Sequence, residues 1–338
     1  MAQPSNTEHS QIVVLVFDTD EHTREELSHK LAPALESELS TPVTPLTTDW
    51  LSTVPTKTLR ITLSTSSPTP ITLQHCTHLA HSPSIAALET TLATQISLLP
   101  AAHMHLHARP GLAVFDMDST LIRQEVIDEL ARAVGKYDQV SAITDAAMRG
   151  EAPYTDFETS LKARVALLKG VPTSIWEELK EGTITFTPGG AELVRVLKAC
   201  GWKTAVLSGG FMPLATWVKE VLGLDYAFAN QLVEDEGSGT LTGELVPGAA
   251  IVHAERKREL LVQLAKENGI PVEWTVAVGD GSNDLLMMGA AGLGVAFNAK
   301  PKVQAAAPTR LNGGSLLSVA YMLGCTGEQV AEILKSTA

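Results

Sequence analysis

The chain has 338 residues, 44% hydrophobic and 19% charged, enough to bury more than one core. Its formal net charge of −13, with 25 Lys and Arg, argues against nucleic acid or an anionic membrane surface as the main partner. Cys76, Cys200 and Cys325 lie far apart in the sequence without metal-site spacing, which points to a reducing, cytoplasmic setting.

The opening stretch, MAQPSNTEHSQIVVLVFD, lacks a basic segment followed by an apolar core and does not read as a signal peptide. No apolar run reaches the ~18 residues of a spanning helix. Residues 11–18 predict a strand, 21–39 a helix, 58–64 a half-buried strand and 83–99 a helix. This alternation predicts a small α+β domain over residues 1–108, of the kind used as a regulatory or dimerising module, which leaves a homodimer open. His103, His105 and His107 would share one face if HMHLHARP were a strand. A polar linker face is the simpler reading than a metal site, because no further ligand is near. The same holds for His75, His78 and His81.

From residue 109 to 338 the pattern changes. Apolar strands at 112–115, 203–208 and 274–279 alternate with helical stretches near 189–200, 212–222 and 255–268. Short strands without polar alternation, separated by helical crossovers, predict a doubly wound α/β core with a buried parallel sheet. The mostly helical residues 124–183 are too many for one crossover and predict an inserted helical cap. NQLVEDEGSGTLTGEL, residues 230–245, predicts a hairpin with EGSG at its turn.

The chemistry-bearing residues stand at the ends of the three strands, which in open α/β sheets face one crevice. FDMDSTLI carries Asp116 and Asp118, VLSGGF carries Ser208 before Gly209 and Gly210, and VGDGSND carries Asp280, Asn283 and Asp284. Four carboxylates around one spot need a compensating charge. Hard oxygen donors suit Mg²⁺, and Lys257, on the helix leading into the third strand, supplies a cation. The arrangement fits phosphoryl transfer to a carboxylate: Asp116 as nucleophile, Asp118 as acid and then base. Taken singly, each segment has a plain structural reading: a strand-end turn, a helix cap, a solvated lysine. Their order and position carry the case.

These segments together resemble the haloacid-dehalogenase superfamily of aspartate-nucleophile phosphatases. Within it, DMDSTLIRQEVIDELA, DFETSLKARVALLKG and GDGSNDLLMMGAAGLGVAFNAKP are similar to the phosphoserine phosphatase family, over residues 109 to about 308. The resemblance implies a HAD-like core and Mg²⁺-dependent hydrolysis of O-phospho-L-serine through an aspartyl-phosphate, the last step of serine biosynthesis. It implies Mg²⁺ held by Asp116, the backbone carbonyl of Asp118, and Asp280, with Asp284 in support. It further implies that Ser208, Gly209, Lys257 and Asn283 hold the phosphate. Glu125 and Arg164 would read the ammonium and carboxylate of the substrate, Phe157 would exclude water, and Met148 would line the same pocket. Two alternatives stay open: a related phosphatase or phosphotransferase acting on another small phosphomonoester, and a non-enzymatic amino-acid sensor.

Overall fold

The computed structural model describes residues 10–53, 57–66 and 70–337; the start of the opening stretch lies outside them. An antiparallel sheet comes first, built from β1 (Gln11–Phe17), β2 (Val43–Ser52), β3 (Thr58–Thr65) and β4 (Ile96–Pro100) in the order β2-β3-β1-β4. Three helices accompany it. Glu21–Leu39 begins at Asp20, whose side chain accepts from the Thr23 N–H. Leu73–Ala80 and Pro83–Leu92 follow.

One expectation fails in this region, and one strand is added to those expected. The helix expected over 83–99 ends at Leu92, because Ala93 turns into the left-handed region (φ 47°) and the apolar run after it pairs with β1 as β4. β2 gave no strand signal because it contains Pro45 and a bulge, features tolerated at the edge it occupies. HMHLHARP is also not a strand. Residues Ala101–Ala108 form 3₁₀ turns that disperse the histidines. His103 Nε2 bonds the Gly292 carbonyl at 3.2 Å and His107 Nδ1 the Leu323 carbonyl at 2.9 Å.

The second sheet is parallel and six-stranded: β5 (Leu112–Phe115), β6 (Lys203–Phe211), β7 (Tyr226–Asn230), β10 (Thr275–Gly279), β11 (Leu293–Phe297) and β12 (Thr309–Leu311). Between β7 and β10 lies the expected hairpin, β8 (Leu232–Asp235) and β9 (Thr240–Leu245). The parallel order is β12-β11-β10-β5-β6-β7. The chain therefore winds outward from β5 through β6 to β7, then restarts beside β5 at β10 and winds the other way. Right-handed crossovers on opposite courses put their helices on opposite faces. Leu193, Val194, Leu214 and Val218, from helices Gly190–Ala199 and Met212–Leu222, join the core on one face. Leu260, Leu264, Met287 and Val303, from Ala254–Glu267, Leu285–Ala290 and Pro301–Ala306, join the core on the other.

That winding leaves one face of β10, β11 and β12 without a crossover helix. The antiparallel sheet and the C-terminal segment cover it: Val13, Leu15, Phe17 and Leu99 share a continuous core with Val278, Val295, Phe297 and Leu316 to Leu323. The opposite face of β1, with Ile12, Val14 and Val16, packs on Leu27, Leu31, Cys76 and Ile85. β1 is thus buried on both sides, unlike the usual antiparallel strand with one wet face. Polar links join the same interface. Arg310 Nη2 donates to both carboxylate oxygens of Glu89 at 2.7 Å, and Ser52 Oγ donates to Tyr321 Oη at 3.2 Å.

Residues 124–183 form helices Val126–Ala133, Tyr137–Met148, Phe157–Ala166 and Ile175–Glu178. They connect to the core through two adjacent strands of chain. Ile122 pairs with Phe186, the Arg123 N–H donates to Thr185 O at 3.0 Å, and the Thr187 N–H to Leu121 O at 2.9 Å. The hairpin braces this helical cap: the Gly170 N–H donates to Leu241 O, and the Leu241 N–H returns to Val171 O, both at 2.8 Å. No helix among the described residues is long and apolar enough to cross a membrane.

Because Leu15 fills the seam between the two sheets, Leu15→Ala should lower unfolding stability by about 2–5 kcal/mol. A urea midpoint that falls with an unchanged m-value is the expected result. A loss below that range would mean the seam is loosely packed.

Candidate active site

The strand order reverses between β5 and β10, and the residues following those two strands meet at the crevice this creates. The Asp116 N–H, just past β5, donates to Val278 O of β10 at 2.9 Å, which places the Asp116 side chain between the two strand ends. The chain then turns through Met117–Leu121, with Ser119 in the left-handed region at φ 56°. This turn, not strand alternation, brings Asp118 back to the same site.

Lys257 lies at the centre. Fully buried on helix Ala254–Glu267, it donates from Nζ to Asp116 Oδ1 at 2.6 Å and to Asp284 Oδ1 at 2.7 Å. Burial pulls the ammonium towards neutrality, but the Asp116 and Asp284 carboxylates outweigh this and raise its pKa. Asp284 is itself fully buried, and its other oxygen accepts from the Gly281 N–H at 3.0 Å. Gly279, the last residue of β10, has no room for a Cβ, which would collide with the Asp284 carboxylate.

Asp118 has a different environment. Its Oδ1 accepts from the Val126 N–H at 2.9 Å and its Oδ2 from Ser208 Oγ at 3.2 Å. Burial, with the charges of Glu125 and Asp116 behind it, lifts its pKa well above the ordinary carboxylate range. Asp116 is paired with an ammonium, whereas Asp118 is placed to hold a proton.

On the β6 side, Ser208 Oγ accepts from the Gly210 N–H at 2.8 Å. A Cβ on Gly210 would stand 2.7 Å from Asp118 Oδ2, so only glycine allows this approach. Asn230, which sequence reasoning missed, holds the loop. Its Nδ2 donates to Gly209 O at 2.8 Å while its Oδ1 accepts from the Val252 N–H at 2.9 Å. Nothing in the sequence marks Asn230, since it acts only through backbone groups brought by distant segments.

The carboxylate oxygens of Asp116, Asp280 and Asp284 lie within 4.8 Å of one another, the one such group of potential ligands found among the described residues. Thr120, in the same segment as Asp116 and Asp118, donates from Oγ1 to Asp280 Oδ1 at 3.3 Å. Burial and the charges of Asp116 and Asp284 push Asp280 up to about 8, and burial with Asp116 pushes Asp284 up to about 7. One lysine does not balance this many acids. Crowded hard oxygens in short supply of positive charge are what a small divalent cation such as Mg²⁺ fits. Asn283 stands half-buried in the same turn.

The cap contributes from above. The Phe157 ring lies against Gly209, where an added Cβ would meet Phe157 Cζ at 3.4 Å. Arg164, one face of the same helix further on, donates from Nε to Ser160 O at 3.3 Å and interacts with the charges of Asp128 and Glu125. Glu125 is held by Ser119, whose hydroxyl donates to Glu125 Oε1 at 2.6 Å. Met148 stands apart. It is 64% exposed, and its sulfur accepts from Lys300 Nζ at 3.8 Å.

A haloacid dehalogenase-like hydrolase family model matches residues 113–289. A phosphoserine phosphatase of Idiomarina loihiensis is 52% identical over 215 residues, covering 64% of this chain and 93% of that one. The crystal structure of a probable phosphoserine phosphatase from Vibrio cholerae aligns with a TM-score of 0.68 at 29% identity, covering 99% of this chain and 91% of that one. A phospho-aspartyl intermediate analogue of phosphoserine phosphatase aligns with a TM-score of 0.57 at 42% identity, covering 63% and 98%.

The crowding of acids has a measurable consequence. Asp280→Asn removes a carboxyl group that must take up a proton or stay crowded as an anion when the chain folds, and should raise the melting temperature of the protein in EDTA at neutral pH by several degrees. A lower melting temperature would mean that repulsion at Asp280 is already relieved without a cation.

Proposed function

The chain belongs to the haloacid dehalogenase-like hydrolases, and from that membership we propose that it is a Mg²⁺-dependent phosphoserine phosphatase, releasing L-serine and phosphate from O-phospho-L-serine as the last step of serine biosynthesis. The observation that carries this reading is the division of labour between Asp116, fixed by Lys257, and Asp118, placed to hold a proton.

The residues divide the reaction as follows. Asp116 attacks phosphorus and forms an aspartyl-phosphate, while Asp118 delivers its proton to the departing serine oxygen. Asp118, now ionised, takes a proton from the water that attacks the acyl phosphate and regenerates Asp116. Lys257 keeps Asp116 ionised and aimed, and meets the charge of the transferring phosphoryl group. Ser208, the backbone of Gly209 and Asn283 cradle the phosphate oxygens. Mg²⁺, held by Asp116, the Asp118 carbonyl and Asp280 with Asp284 behind them, supplies positive charge to the phosphoryl oxygens when bound. The combined acidity of the site supports that assignment.

Substrate selection is assigned to the cap. Glu125 faces the ammonium and Arg164 grips the carboxylate, a task suited to its planar fork. Phe157, resting on Gly209, excludes water from the reacting centre. The charge pair Glu125 and Arg164 favours an amino-acid ester over a sugar phosphate, which offers neither group.

The net charge of −13 supports a small-molecule substrate over nucleic acid or an anionic membrane, and the free cysteines fit a cytoplasmic setting. We read residues 1–108 as a regulatory or dimerising domain on a phosphatase domain of residues 109–338. Its separate sheet supports the division, while the shared core means that the two are not loosely tethered. Sedimentation over a range of concentrations tests the homodimer. A monomer throughout removes the dimerising half of that reading.

Phosphate release from a panel of phosphomonoesters tests the function. L-phosphoserine should lead, EDTA should stop turnover, and Asp116→Asn should leave no measurable aspartyl-phosphate. Asp118→Asn should keep the fold but lower kcat by roughly 10²–10⁴-fold. Equal rates on phosphoserine and a sugar phosphate would defeat the substrate assignment alone; normal turnover by Asp116→Asn would defeat the mechanism. Separately, Arg164→Ala should raise KM for phosphoserine by about 10-fold or more while barely changing it for p-nitrophenyl phosphate, which has no carboxylate to grip.

A further inference from the structure

β6 departs from regular pairing where it reaches the active site. Leu207 pairs with Phe228 of β7, and the next pair is Phe211 with Asn230, so the ladder advances four residues along β6 against two along β7. The surplus backbone, Ser208 to Gly210, bulges out of the ladder, as extra residues in one strand do. Such a bulge takes backbone groups away from their ladder partners, and they must find others. Asn230, 1% exposed at the end of β7, supplies one: its Nδ2 donates to Gly209 O at 2.8 Å. The N–H of the same peptide, that of Gly210, donates to Ser208 Oγ at 2.8 Å. The Gly209–Gly210 peptide is therefore pinned at both ends. Ser208 Oγ, accepting there, turns its own hydrogen to Asp118 Oδ2 at 3.2 Å.

The other end of the Asn230 amide reaches a different part of the site. Its Oδ1 accepts from the Val252 N–H at 2.9 Å. Buried Val252 directly precedes His253, on which helix Ala254–Glu267 begins. The Lys257 N–H donates to His253 O at 2.9 Å, in the first turn of that helix. One side chain thus ties the bulge beside Asp118 to the start of the helix that delivers the lysine to Asp116.

We propose, on the phosphatase reading above, that Asn230 is a positioning residue for phosphoryl transfer: by bonding Gly209 O and the Val252 N–H together, it fixes the glycine bulge and Lys257 at the separation that the five-coordinate phosphoryl group requires. The task needs a donor and an acceptor on one short stem, which an amide has. A carboxylate can accept from Val252 but has nothing to give to the Gly209 carbonyl. Asn230 touches neither substrate nor metal ligand, so it acts through geometry alone. A misplacement of about 1 Å in such a site costs on the order of 10²-fold in rate.

The test compares the full-length wild type with Asn230→Asp, which keeps the size and the acceptor for Val252 but sets an oxygen against Gly209 O. Phosphoserine turnover with Mg²⁺ is measured together with inhibition by orthovanadate, which adopts the five-coordinate geometry of the transferring group. Asn230→Asp should lower kcat by about 10-fold or more and raise the vanadate Ki by a similar factor, with KM rising less than Ki. A merely structural role would lower the folded fraction, and hence Vmax, but leave Ki where it was. Asn230→Ser, whose shorter side chain leaves room for water, should shift kcat and Ki in the same direction and guards against a variant that does not fold. Wild-type kcat and Ki in the variants, or a fall in kcat with Ki unmoved, overturns the proposal. A wild type that releases phosphate from neither phosphoserine nor p-nitrophenyl phosphate overturns the phosphatase reading, and this proposal with it.

Discussion

A single buried ammonium organises this molecule. Lys257 bonds Asp116 and Asp284 at once, with no solvent to share the charge, and the site collects more acids than this one cation can balance. Removing any partner would leave an uncompensated buried charge, among the costliest changes a fold can suffer. The three residues come from three elements: the end of β5, the turn after β10 and helix Ala254–Glu267. Their meeting requires β5 and β10 to be neighbours, and hence requires the reversal in strand order.

The same reversal explains why the N-terminal sheet is where it is. With the crossovers on β10 to β12 all on one side, the other side of those strands would be bare. β1 and β4 close it together with the C-terminal segment, and β1 becomes buried on both faces. The chain ends thus complete a core that the catalytic winding leaves open. Arg310, on β12, ties that cover down through Glu89.

Above the site, the cap is hung on a short two-stranded hinge and braced by the β8–β9 hairpin. Gln124 grips that hinge, accepting from the Thr185 N–H at 3.0 Å and donating to its hydroxyl at 3.0 Å. Phe157 rests on Gly209, so the cap touches the end of β6 directly. Lids of this kind exclude water and select substrate in one movement.

Much of this was legible in the chain itself. Asp116, Asp118, Ser208, Asp280 and Asp284 each follow or end an apolar run, and a carboxyl-end position on a parallel strand is a local property that apolar patterning reveals. Helix 21–39 and the hairpin were equally visible, because a cap residue and a glycine turn are local too. The edge strand β2, the conversion of 96–100 from helix to β4 and the support by Asn230 were not. β2 is masked by Pro45 and its bulge; in the other cases the partner lies far along the chain, and a strand or a hydrogen bond is decided by what lies opposite it. The sequence by itself determined the chemistry, since residue types and their order beside strand ends carry it. Only the tertiary structure decided which carboxyl groups Lys257 pairs with and which ones burial pushes above the ordinary carboxylate range, because that depends on distances and burial that no linear spacing contains.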